Sequence, residues 1–159
     1  MSPSAAAALV PSVDVLVHSD LLGPLSIPAD EIITFPAGLF GFPECRAFVL
    51  VATARVGMFW LQSAEYGTLA FLVVDPFIFF NDYSVDLGTL ELSRLEAKEA
   101  ADIAILTIVT LPRTRDDIAT VNLQGPIAFN LSAPLAKQVA IAESDWGVQR
   151  PIDLKTASK

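Results

Sequence analysis

Cysteine, histidine and positive charge are all scarce in this chain. Cys45 is the only cysteine and His18 the only histidine. A single thiol cannot close an intramolecular disulfide, so cysteine usage gives no sign of an oxidising compartment, and Cys45 reads as a small buried hydrophobe. His18 lies at a strand end with no second histidine or cysteine near it, so no metal site is expected. Ser63 and Ser93 would have to share that one distant histidine, which argues against a hydrolase triad, and Asp116-Asp117 beside Arg113 and Arg115 reads as a solvated turn rather than an acid and base. Nothing in the residues reads as an enzyme, and no cofactor is expected. Lys and Arg total 10 against 18 Asp and Glu, for a net charge of -8. That balance argues against direct nucleic-acid binding, which needs clustered cations, and favours a basic protein partner. No apolar run reaches the roughly 20 residues of a membrane span, and the longest candidate, Leu69 to Phe80, contains Asp75 and Pro76. Ala5 to Val10 is short, lacks a preceding Lys or Arg and is broken by Pro11, so it makes a poor signal peptide and a cytoplasmic location is expected.

The chain is nevertheless apolar, with 53% hydrophobic residues in 159. That length suits one domain, and that composition implies a dense β core or exposed apolar surface. The organising stretch runs from Met58 to Tyr83. Met58 to Gln62 and Leu69 to Val74 are apolar, aromatic and β-branched runs around a polar segment with Gly67, which reads as a core hairpin carrying Trp60 and Phe71. Asp75-Pro76 ends the second run, because proline has no N–H for the ladder and restricts the residue before it. Asp75 can cap the turn that follows. Phe77, Ile78, Phe79 and Phe80 are consecutive, and a two-residue period cannot bury all four.

Elsewhere, residues 1–12 lack periodicity and read as a disordered extension. Val13 to Val17, Leu22 to Ile27, Ile32 to Phe35 and Phe48 to Ala54 read as strands. Gly38 and Gly41 mark a tight loop between Pro36 and Pro43, with Phe40 and Phe42 expected to pin it to the core. Asp86 to Ala101 holds the one helix-forming composition. Ile103 to Leu111, Ala119 to Leu123, Ile127 to Leu131 and Lys137 to Ala142 complete the strands, and residues 153–159 read as a flexible tail. So many short strands with one short helix predict a mainly β, single antiparallel β-barrel-like domain over residues 13–152.

Phe59-Trp-Leu-Gln-Ser63, Leu69-Ala-Phe71, Val74-Asp-Pro76, Asp82-Tyr83, Ile108-Val-Thr-Leu-Pro112 and Thr120-Val-Asn-Leu123, with Gly125-Pro-Ile127 and Asn130, resemble in order and spacing the FliW family of flagellar assembly factors. Phe35-Pro-Ala-Gly-Leu39 and Lys137-Gln-Val139 fit the same pattern, and the resemblance covers about residues 13 to 152. It implies a small β-barrel-like cytoplasmic protein that binds flagellin and the RNA-binding translational regulator CsrA. Antagonising CsrA would then couple flagellin translation to filament assembly. Between Arg55 and Arg94 no basic residue occurs, whereas Glu65, Asp75, Asp82, Asp86 and Glu91 all do. An acidic patch around exposed aromatics would attract a basic regulator. The candidate contact residues are Asp75, Phe79, Phe80, Asp82, Tyr83, Asp86 and Asn122. The alternative is a small-ligand, flavin-type barrel, which would need a phosphate site that ten scattered Lys and Arg do not obviously supply.

Overall fold

The computed structural model describes residues 13–114, 118–141 and 146–154. The expected N-terminal extension over 1–12 lies outside the described residues, as does the tail from 155 onward. The described chain forms β1 (Asp14–Ser19), β2 (Gly23–Pro28), β3 (Ile33–Thr34), β4 (Ala47–Ala52), β5 (Met58–Ser63), β6 (Ala70–Val74), α1 (Thr89–Arg94), β7 (Ile103–Thr110), β8 (Thr120–Val121), β9 (Ile127–Asn130), β10 (Ala136–Gln138) and β11 (Arg150–Pro151). Every ladder between them is antiparallel. The architecture is mainly β with one short helix, as the sequence predicts.

The hairpin of β5 and β6 sits in mid-sheet, paired from Met58 with Val74 to Gln62 with Ala70. Its polar connection folds on itself: the Ser63 hydroxyl oxygen accepts from the N–H groups of Glu65 and Tyr66 at 3.1 and 2.9 Å. Register assigns the two faces. Leu61 lies opposite Phe71 and faces the main core with Phe35, Phe48, Val73, Leu106, Ile127 and Phe129. Trp60 lies opposite Leu72 and faces a second cluster around Val74, Tyr83, Val121 and Leu123. Trp60 and Phe71 are therefore half-buried on opposite faces rather than partners in one core, because adjacent strand positions point to opposite sides.

The long sheet has the order β10-β9-β7-β6-β5-β4-β3. It does not close into a continuous barrel. Its two ends meet in one isolated parallel bridge between Thr34 and Leu135, with the Thr34 N–H donating to the Pro134 carbonyl at 2.8 Å. The β1–β2 hairpin is a separate sheet. It is tied to the central hairpin by the Ser19 hydroxyl, which donates to Oε1 of fully buried Gln62 at 2.6 Å. Gly67 makes this approach possible, since a Cβ there would lie 2.7 Å from the His18 carbonyl oxygen.

Several expected elements contract. The strands foreseen at Ala119 to Leu123 and Lys137 to Ala142 are Thr120–Val121 and Ala136–Gln138; the chain bends over 123–125 after the first and over 131–134 before the second. The helix foreseen within Asp86 to Ala101 is only Thr89–Arg94. Glu96 stops it with a left-handed φ of 57°; the Ala97 N–H reaches back to Leu92 O and the Glu96 N–H to Ser93 O, a Schellman-type end. One core assignment is corrected: Phe40 is 55% exposed, and only Phe42 pins its loop, meeting the Phe71 ring edge-on at 5.4 Å. Leu154, assigned to the tail by sequence, packs against the second cluster, and its carbonyl accepts from Arg55 Nη1 at 2.7 Å.

Candidate partner-binding surface

After Val74 the chain leaves the sheet as a 3-10 turn, Pro76–Ile78. Asp75 caps it, its Oδ1 accepting from the Phe77 N–H at 2.9 Å, and buried Pro76 occupies the first helical position, where its missing N–H costs nothing. The Phe80 N–H then reaches the Pro76 carbonyl at 2.9 Å, so the run continues with helical spacing. Positions i, i+3 and i+4 share a face in such a turn. Pro76, Phe79 and Phe80 accordingly turn inward, Phe79 and Phe80 packing half-buried on the second cluster, while Phe77 and Ile78 are 43% and 39% exposed. The rings singled out from sequence, Phe79 and Phe80, are thus the inner pair, and the outer pair was missed. Asp before Pro was the available signal, because it opens a helical turn and makes the two-residue period inapplicable.

Tyr83 is buried, which removes it from direct contact with a partner. Its hydroxyl donates to the Leu123 carbonyl at 2.7 Å, and burial pushes its pKa up to about 12. Its ring meets Phe77 at 5.8 Å and Trp146 edge-on at 5.1 Å, so it supports the exposed turn from beneath. Asn122 is half-buried, and its Oδ1 accepts from the N–H groups of Gln124 and Gly125 at 3.1 and 2.9 Å. This is an Asx turn that shapes the Gly125-Pro126 bend. Asp82 and Asp86 are exposed.

The structure regroups the charges. Arg150, distant in sequence, stacks over the Phe80 ring at 5.2 Å and the Trp146 ring at 5.8 Å, which brings a cation to the edge of the expected acidic patch. Glu91 pairs with Lys137 Nζ at 2.6 Å. Glu65 lies at the opposite end of the central hairpin from Asp75, where its Oε1 accepts from the backbone N–H groups of Arg46 and Ala47. Asp75 instead joins Asp30 and Glu31 along an open groove of about 930 Å³, floored by Leu50, Phe59 and Phe129. Among the described residues no Lys, Arg or His lines this groove. Those residues offer no counter-charge to a phosphate. Cys45 is buried, and burial together with Glu44 and Glu65 raises its pKa, which keeps the thiol protonated.

The described residues thus define a mainly antiparallel β protein that carries exposed apolar side chains, exposed carboxylates and one open, largely apolar groove. Comparison with known proteins carries this further. The family model described as FliW protein matches residues 16–152. "Flagellar assembly factor FliW" of Geobacter sulfurreducens is 39% identical over 136 residues, 85% of this chain and 84% of that one. The protein of the same name from Natranaerobius thermophilus is 37% identical over 86% of this chain and 91% of its own, and that of Bacillus subtilis is 34% identical over 87% and 96%. A solved structure, "Crystal structure of the flagellar assembly factor FliW", superposes with a TM-score of 0.79 at 30% identity, covering 86% of this chain and 96% of its own. The chain belongs to the FliW family of flagellar assembly factors. Among the described residues no helix is long and apolar enough to cross a membrane.

Proposed function

We propose that this protein works in the cytoplasm as a binding protein without catalytic activity, holding flagellin and, in competition with it, a CsrA-type RNA-binding regulator. Sequestering the regulator relieves repression of flagellin synthesis, and free flagellin releases it again. The observation that carries this reading is the turn after Asp75: Phe77 and Ile78 stand exposed in a family of flagellar assembly factors, followed closely by exposed Asp82 and Asp86. Carboxylates draw in a basic, RNA-binding surface and repel the RNA itself, while the apolar pair supplies area excluded from water once contact is made.

The two contributions separate kinetically. Asp82→Lys with Asp86→Lys slows association with the purified regulator and flattens its salt dependence, whereas Phe77→Ala mainly speeds dissociation. Rates at two salt concentrations, with melting curves as a folding control, test both. A folded double-lysine variant with unchanged rates and salt dependence removes this surface from the interface.

A further inference from the structure

The groove beside Asp75 has a property that apolar lining alone does not give it: one wall is an unpaired strand edge. β6 pairs with β7 only at Val74 with Thr107, Val73 with Ile108 and Leu72 with Val109. On its other side β7 is paired along nearly its whole length, with β9 over Ile103 to Leu106 and with β8 at Val109 and Thr110. Successive residues of a strand direct their N–H and C=O groups to alternate sides. The Leu131 N–H donates to Asp102 O and the Asn122 N–H to Ile108 O, so even-numbered residues of β7 serve the β8 and β9 side. Odd-numbered residues therefore serve the β6 side, where β6 has already stopped at Pro76. Continuing the register, Ile105 would face Pro76, the residue that has no N–H to give. The Ile103 N–H is taken by Ala100 O, and among the described residues no ladder pairs Ile103 or Ile105 on the β6 side, where the Pro76–Ile78 turn packs against β7 without continuing the strand. Ile103, Ala104, Ile105 and Leu106 are consecutive in the groove wall, which marks the groove as running along this edge.

We propose that the groove takes an extended peptide segment that adds to β7 as a strand in the place β6 vacates, apolar at alternate positions and carrying Lys or Arg at its ends. The backbone groups of Ile103 and Ile105 supply the hydrogen bonds. Leu50, Phe59 and Phe129 on the floor receive alternate apolar side chains. Asp30, Glu31 and Asp75, with no cation among the described lining residues, select basic flanks over acidic ones. This goes beyond the function proposed above, since the chemistry is that of a peptide backbone and does not require that the segment belong to flagellin or to the regulator.

The test uses the full chain and a synthetic peptide of alternating Val and Thr with two Lys at each end, related to neither partner. Its outcome is therefore independent of the regulator and flagellin measurements. Binding is followed by fluorescence anisotropy and by the exchange rate of the Ile105 amide hydrogen in NMR spectra. The peptide is expected to bind and to slow Ile105 exchange at least about tenfold, as a new backbone hydrogen bond should. N-methylation of all its central amides is expected to weaken binding at least about tenfold, the equivalent of losing roughly one or two such bonds. The exposed pair Asp30→Lys with Glu31→Lys is expected to weaken it severalfold and reduce its salt dependence. Absence of binding overturns the proposal. So does equal binding of the N-methylated peptide, which would mean apolar adhesion without strand addition. A concentration-dependent dimer that protects Ile105 without peptide would assign the edge to a second copy of the chain and overturn it as well.

Discussion

Tyr83 shows how much one side chain can be asked to do. It carries a ring under the exposed turn and a hydroxyl bonded to the Leu123 carbonyl in a buried site. Tyr83→Phe keeps the ring and strands the carbonyl, at a cost of about 1 to 3 kcal/mol in urea unfolding. The sign of its pH dependence follows from the raised pKa: the unfolded phenol ionises near 10.0 and the folded one near about 12. The unfolded state thus loses its proton first, and stability falls as pH rises from about 10 to about 12. Tyr83→Phe should lack that part of the alkaline slope, so unfolding curves of the two proteins converge above pH 10. Asp75 has two roles that chemistry can separate. Asp75→Asn retains a capping oxygen and should leave the melting temperature almost unchanged, whereas Asp75→Ala loses the bond to the Phe77 N–H and costs about 1 kcal/mol. If Asp75 also attracts a basic partner, both variants weaken binding, and only the alanine weakens the fold.

At the scale of elements, β5 sets what each substitution removes. Leu61 is fully buried in the main core, and Leu61→Ala should cost roughly 2 to 5 kcal/mol. Trp60 is half-buried on the other face. Trp60→Ala deletes more atoms, yet part of that surface already touches water, so its cost should fall at about 3 kcal/mol, the low end of the range for a buried tryptophan. Urea unfolding of the two variants checks the comparison, and a Trp60→Ala protein that melts within a few degrees of the parent would place the ring outside the cluster. Gly57, in the turn before β5, has φ of +78° and faces the Ile78 side chain with no room for a Cβ. That contact anchors the exposed apolar turn to the sheet. The hairpin and its proline stop were legible beforehand, because alternating apolar runs and a missing N–H act locally. The phase of the four apolar residues after Pro76 was not, since it depends on whether the backbone continues extended or coils. Asp75 decides this by capping the coil.

The whole molecule carries a net charge of -8, with Lys137 paired to Glu91. Self-repulsion should therefore outweigh pairwise attraction at low salt, and raising ionic strength from about 0.01 M to about 0.15 M should raise the melting temperature modestly. A fall would mean that attractive networks dominate. By itself the sequence determined the class, mainly β with one short helix, the family, and the positions of the central hairpin and its proline stop. The class, the hairpin and the stop follow from near-neighbour periodicity and residue type, and the family from the resemblance of an ordered set of motifs. Only the tertiary structure decided which carboxylates share a surface. Asp30 and Glu31 join Asp75, Glu91 is claimed by Lys137, and Arg150 arrives over Phe80. It also decided that Phe77 and Ile78, rather than Phe79 and Phe80, face out, and that the β6 ladder on β7 ends at Thr107. The physical reason is the same in each case: these properties belong to pairs of segments far apart in the chain, and strand register and packing choose the pairs.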